Sequence, residues 1–285
     1  GSGQGVVLQN INYAYLSSAT NTILVNGAGS ANSLLSYFGK VNYIFDNTYL
    51  LSATLRNDGS SKFGINNRYG LFPAFSAGWR ISEEKFIQQK LPQITELKLR
   101  YGWGQTGNQN IANNATQTLY QSIYGTDITW NFNQGTAYNI MGTGTGQMPS
   151  GFTPIQTGNP NLKWETTTQS NFGLDFGLFD NRLSGSIDYF IKTTTDILIT
   201  PPYLAVLGQG GSTTYNGASL QNKGLEAIAT YSAKLGHDLS ISVTGNVATY
   251  RNKVLKLPAD VLTGYPGNGT TETVLNRSIN SLYGY

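Results

Sequence analysis

His237 is the only imidazole in the 285 residues, and there is no cysteine, so thiolate nucleophiles, disulfide frameworks and Cys/His metal sets are excluded. An imidazole serves as a general base when a reacting group lies within its hydrogen-bond reach. His237 stands instead beside Asp238, between two alternating segments, where it reads as a turn residue. Asp58-Gly59-Ser60-Ser61 has the look of a calcium loop but supplies one carboxylate without patterned partners. Gly142-Thr143-Gly144-Thr145-Gly146 lacks the preceding strand and following helix of a phosphate loop. The sequence therefore offers no catalytic, cofactor-binding or metal-ligating residue, and it reads as a protein that is not an enzyme. Recognition chemistry is better represented. Between residues 106 and 165, Tyr120, Tyr124, Trp130, Phe132 and Tyr138 are interleaved with Asn, Gln, Thr and Gly, a mixture able to stack on sugar rings or peptide side chains and to donate hydrogen bonds. The same composition suits a loop that packs on its own rings. Tyr124, Trp130, Phe132 and Tyr138 are the substrate-binding candidates.

The elements that carry these loops are segments of strict two-residue alternation. In Tyr49 to Arg56, Tyr49, Leu51, Ala53 and Leu55 fall on one face, and Ser52, Thr54 and Arg56 on the other with Leu50. Strands read this way because successive side chains project to opposite sides of the pleat. Nine such segments are expected, near 6–16, 34–46, 48–57, 68–81, 95–105, 166–179, 182–194, 223–235 and 238–250. Arg56, Arg80, Lys98, Arg100, Asp175, Asp188, Lys192, Glu226 and Lys234 all fall on the polar face, and the other face is expected to carry no charge. A Lys or Arg at the bilayer midplane of a lipid-facing strand costs roughly 2–4 kcal/mol, whereas a lumen solvates it. Pro73, inside the 68–81 segment, lacks a ladder donor and predicts a bulge or local break.

Connections alternate in length. The turn around Asn47, the segment Ser82 to Ile94, Asp180-Asn181 and Gly236-His237 are short; 17–33, 58–67, 106–165, 195–222 and 251 onward are long. Such asymmetry is that of an outer-membrane barrel with periplasmic turns and extracellular loops. Two outward aromatic belts are expected: Tyr43, Phe45, Tyr49 and Trp79 near the short-turn rim, and Tyr13, Tyr15, Tyr69, Tyr101 and Trp103 near the other. Ser82 to Ile87 reads as one short helix, with Ser82 as its cap and Glu83 and Glu84 favoured by the helix dipole.

Composition bounds the alternatives. Charged residues are 12% of the chain, about half the share of an ordinary soluble domain, yet no apolar run approaches the ~20 residues of a membrane helix. The net charge of +3 is dispersed, with no basic stripe for nucleic acid. The reading is all-β, a transmembrane antiparallel sheet in contact with outer-membrane lipid. An outer-membrane barrel enzyme and a soluble glycan-binding or adhesive β-domain are the alternatives.

Several stretches resemble the barrel of SusC/RagA-like TonB-dependent transporters: YLLSATLRNDGSSKFGINNRYGLFPAFSAGWRISEEKFI from Tyr49, LKLRYGWGQTGNQ from Leu97, NPNLKWETTTQSNFGLDFGLFDNRLSGSIDYFIKTTTDIL from Asn159, NKGLE from Asn222 and SLYGY from Ser281. The resemblance implies an outer-membrane barrel of about 22 strands, filled by a plug and energised through TonB. It also implies a SusD-like surface lipoprotein as lid and active import of a glycan or peptide. Residues 1–285 would then be a partial barrel, with the plug, TonB box and C-terminal strands lying outside them. Residues 110–158 and 200–218 show no pattern of the family. Nine strands cannot close a barrel, so an open sheet with two unpaired edges is expected.

Overall fold

The computed structural model describes residues 4–6, 19–21, 31–122, 152–200, 211–235, 238–258 and 275–279. Gly1–Ser33 forms one compact unit and Leu34–Tyr285 a second. In the first, β1 (Gln4–Val6) and β2 (Ala19–Asn21) pair antiparallel, Gln4 with Asn21 and Val6 with Ala19. Of the strand expected at 6–16, all but Val6 lies outside the described residues, as do Tyr13 and Tyr15.

The second unit is built on β3 (Leu34–Phe45), β4 (Tyr49–Ser60), β5 (Tyr69–Arg80), a 3₁₀ turn (Ile81–Glu83), α1 (Lys85–Lys90) and β6 (Ile94–Asn108). These are followed by the short β7 (Leu119–Ser122) and β8 (Phe152–Gln156), then β9 (Glu165–Leu178), β10 (Leu183–Ile199), β11 (Tyr215–Leu235) and β12 (Leu239–Lys256). Eight of them form one antiparallel sheet in the order β3-β4-β5-β6-β9-β10-β11-β12, while β7 and β8 make a separate hairpin. The sheet is open: β3 and β12 are its edges and do not pair with each other among the described residues. The eight strands match the last eight segments expected from alternation.

Register fixes the faces. One cross-strand row runs Tyr43–Leu51–Ala77–Tyr101–Phe172–Tyr189–Leu225–Thr249, and the next Phe45–Tyr49–Trp79–Leu99–Leu174–Ile187–Ala227–Val247. On the opposite face a row runs Ile44–Leu50–Gly78–Arg100–Gly173–Asp188–Glu226–Ala248. The apolar face is open: Val41 is 70% exposed, Val247 65%, Leu51 53% and Phe172 51%. A water-soluble monomer rarely tolerates a contiguous apolar patch of more than a few hundred Å². This face spans eight strands and requires an apolar surrounding.

Three expectations are corrected. The outward face is not free of charge: Lys223 pairs with Ile191 and Arg251, and Lys253 with Gln221, which puts Lys223, Arg251 and Lys253 on it. Lys223 began the expected strand, and the two others lay past its neighbour's expected end at residue 250. Secondly, Ser82 caps nothing. The 3₁₀ turn has Arg80 at its N-cap and α1 has Glu84, neither making a side-chain cap bond. The Glu84 carboxylate instead accepts hydrogen bonds from Tyr49 OH (2.9 Å) and Trp79 Nε1 (3.0 Å), two donors that interfacial rings must satisfy. Thirdly, the second belt is incomplete. Tyr43, Phe45, Tyr49 and Trp79 do stack as a ladder at centroid spacings of 6.4–6.5 Å. Tyr101 and Trp103, however, pack with Phe75 and Phe172 at 4.7–5.7 Å, because neighbouring strands bring mid-strand rings beside them in register.

Pro73 breaks one ladder only. β5 pairs with β4 without interruption from Tyr69 to Trp79, but with β6 only from Ala74 to Arg80. Asp46 and Asn47, and likewise Asp180 and Asn181, have positive φ at the centres of turns closed by Thr48 N–H to Phe45 O and Arg182 N–H to Phe179 O. That backbone twist matches the twist of the flanking strands. Gly236 and His237 lie outside the described residues. At the other end β10, β11 and β12 run well past their expected limits. The 21 residues of β11 at ~3.3 Å each, tilted about 45°, rise about 49 Å against an apolar band of ~25 Å. These strands continue as a ribbon beyond the bilayer.

Candidate functional site

Two assemblies of polar and aromatic side chains are positioned by this sheet. The first lies on the inward face of β6, β9 and β10. Arg100 reaches across β9: its Nε and Nη2 donate to the two oxygens of Asp175 (2.8 and 2.7 Å), and Nη2 also donates to Asp188 Oδ2 at 3.1 Å. Lys98 Nζ stands 3.8 Å from Asp175. Two cations thus face two carboxylates, a balanced network on three strands. Two-point guanidinium binding adds fixed geometry to the charge attraction. Beside it a shallow groove of about 540 Å³ takes its polar lining from Asn42, Ser52, Ser76, Lys98, Arg100 and Asn171, set among apolar walls that include Ile44, Leu50 and Ala77. Asn171 Oδ1 and Asp188 Oδ1 are buried without a protein hydrogen-bond partner.

Gly173 permits the network. A Cβ there would lie 2.6 Å from Arg100 Cζ and 2.7 Å from Asp188 Oδ1. Gly173→Leu is therefore expected to push the guanidinium out of its slot and to cost about 1–3 kcal/mol through overpacking. Urea titration of the refolded protein in lipid vesicles measures it, with Gly102→Leu as control, since a Cβ at Gly102 meets nothing within 4 Å.

The second assembly closes the long-loop rim. Phe63, Phe72, Ala115, Leu162 and Trp164 form a buried cluster with Ile111 and Leu198 against it. Trp164 packs on Phe63 at 5.1 Å and edge-on to Phe72 at 5.5 Å, and its indole N–H donates to Arg68 O. Polar ties surround the cluster. Lys62 Nζ donates to Ile111 O, Asn67 Nδ2 to Asn161 O, and Asn159 Nδ2 to Thr214 O. Lys163 pairs with Asp196 at 2.8 Å, and Asn216 binds both partners' backbones. Asp58 belongs here: it is 6% exposed and ion-paired to Arg56 Nε at 2.7 Å, so it locks the rim end of β4. Most of these residues come from the three longest stretches that carry the resemblance. Sequence reading missed the cluster because Phe63 and Trp164 are about a hundred residues apart in unpatterned loops.

Of the loop aromatics singled out for recognition, Tyr120 lies on β7 and is 63% exposed. Tyr124, Trp130, Phe132, Tyr138 and the glycine run 142–146 lie outside the described residues.

A family model described as TonB dependent receptor-like, beta-barrel, matches residues 4–282. The chain belongs to the TonB-dependent receptor β-barrel family. It is 35% identical over 231 residues to the TonB-dependent receptor SusC of Bacteroides thetaiotaomicron, covering 79% of this chain and 21% of that protein. It is 32% identical to the TonB-dependent receptor P3 of Formosa agariphila, over 98% of this chain and 27% of that protein. Among solved structures it matches the RagAB peptide transporter with a TM-score of 0.66 and 31% identity, over 79% of this chain and 23% of that one. The chain thus spans about a fifth to a quarter of the length of these relatives. As a TonB-dependent barrel section it is an outer-membrane sheet, and its open edges are those of a partial barrel.

Proposed function

We propose that this chain is a section of the wall of an energised outer-membrane importer for a bulky nutrient, a glycan or a peptide. The observation that carries the reading is the division of the sheet into two faces, maintained in register across eight strands: apolar toward lipid, ionic and amide-rich toward a lumen. Similarity to SusC and to a peptide transporter supports the cargo class. In this reading the remaining strands and a plug belong to a longer polypeptide, TonB supplies the energy, and a SusD-like lipoprotein covers the long-loop side. Tyr124, Trp130, Phe132 and Tyr138 contact cargo. The chain's own role is to be rigid, not catalytic. The balanced Arg100 network and the Trp164 cluster hold wall and rim while other parts move.

Cells bearing the full-length protein are expected to accumulate a fluorescent oligosaccharide or oligopeptide, and to lose that uptake when the proton gradient is collapsed or the gene is deleted. Uptake indifferent to the gradient, or cleavage of the probe by the purified protein, would point to a passive pore or to a barrel enzyme and end this reading.

A further inference from the structure

Lys223, Arg251 and Lys253 are the only charged side chains on the outward face within the continuous register of the eight strands, among the described residues. All three are cationic and exposed. Lys223 and Arg251 are direct cross-strand partners, and Lys253 follows on the same face of β12. Like charges placed opposite each other on a sheet repel. Neither Lys223, Arg251 nor Lys253 has an ion-pair partner among the described residues, for the nearest carboxylate on β11, Glu226, belongs to the inward row.

Height specifies what meets them. From Leu239 at the short-turn end of β12 to Arg251, at ~3.4 Å per residue and about 45° of tilt, the strand rises about 29 Å, just past the ~25 Å apolar band. Leu239, Ile241, Val243 and Val247 line the lipid face below. In the row of Lys253 the neighbours Gln221, Thr193 and Thr168 are all polar, whereas Lys223, one step nearer the bilayer, has Ile191 beside it and Ser170 beyond. Gln221 Nε2 donates to Thr193 Oγ1, and Gln105 Nε2 to Thr168 Oγ1, so those groups are committed within the wall and the cations are left to face the headgroup layer.

We propose that Lys223, Arg251 and Lys253 form a binding site for the phosphate of a membrane lipid headgroup in the long-loop leaflet. A phosphate bridging Lys223 and Arg251 turns their mutual repulsion into two charge-assisted contacts, and Lys253 holds a further oxygen or a second phosphate. The site is separate from any cargo path, since it lies on the opposite face from the Arg100 network.

The test uses the full-length protein in nanodiscs whose lipid is phosphatidylcholine with a small fraction of either phosphatidylglycerol or a diphosphorylated glycolipid, and counts retained lipid by native mass spectrometry. The expected result is retention of the phosphate-monoester or anionic lipid that falls at least about tenfold in the triple variant Lys223→Gln, Arg251→Gln, Lys253→Gln, given that each cation near an anionic surface contributes roughly fivefold. The inward triple variant Lys40→Gln, Lys192→Gln, Lys234→Gln serves as a charge-matched control and is expected to leave retention unchanged. Free inorganic phosphate in detergent is expected to compete weakly; if it binds as well as the lipid does, the site takes soluble phosphate and the membrane assignment fails. Equal lipid retention by the parent and triple-variant proteins, both shown folded by heat-shifted gel mobility, overturns the proposal.

Discussion

The substitution Leu174→Arg is expected to destabilise the protein in a bilayer by about 2–4 kcal/mol, the depth-dependent cost of a guanidinium on the lipid side of a barrel strand. Leu174 sits in the outward row with Leu99 and Ile187, flanked along β9 by Phe172 and Phe176, four residues or about 9 Å of rise inside the short-turn end of the strand at Leu178. Ser52→Arg is the paired control, because Ser52 lines the inward groove where the new charge meets water. Its cost is expected to stay within about 0.5 kcal/mol, the ordinary range for a solvated site. Reversible urea unfolding in vesicles measures both. The difference between them, and not either value alone, reports which face touches acyl chains. If Ser52→Arg proves the more damaging, the assignment of lumen and lipid is reversed.

Removing the indole from the rim cluster is the second large effect. Trp164 is 7% exposed, packs on two rings and donates to Arg68 O. Trp164→Ala therefore forfeits both burial and a hydrogen bond, and about 3–5 kcal/mol is expected from aromatic-to-alanine truncation in a packed core. That loss is expected to appear locally. Limited proteolysis of intact cells should cut between residues 61 and 68 or near residue 160, while the strands below keep their heat-resistant gel mobility, since the ladders meet the cluster only at their upper ends, at Phe72 of β5 and Leu198 of β10. Trp164→Phe retains most of the packing and is expected to recover more than half of the lost stability. Global unfolding by Trp164→Ala would instead mean that rim and wall fold as one cooperative unit.

The strands of this protein were legible because a two-residue period is a local property: Leu97 to Trp103 declares its faces without reference to any neighbour. Register then followed from short turns, and Asp46-Asn47 and Asp180-Asn181 do adopt the left-handed backbone that their types favour. What escaped was whatever depends on a partner distant in the chain. Phe63 and Trp164 read as loop residues because neither segment shows the burial that the other creates. Ser82 looked like a cap by spacing alone, but Glu84 was drawn to Tyr49 and Trp79, whose donors a linear pattern does not display. The polar extensions of β10 and β11 were hidden for a third reason. Beyond the bilayer both faces are wet, so Thr, Asn and Gly occupy a paired strand with no alternation to announce it. Lys223 was passed over at the start of its expected strand, on a face expected to carry no charge, and its meaning needed Arg251 across the ladder.

Above Pro73 the connection between β5 and β6 changes its nature. Below it the two are stitched by amides from Ala74 to Arg80; above it Phe72 lies against Gly107, where an added Cβ would collide with the ring, and the Trp164 cluster completes the join. The register of the upper wall is therefore carried by β4 on one side and by β9 on the other, and side-chain packing alone bridges the two halves between them.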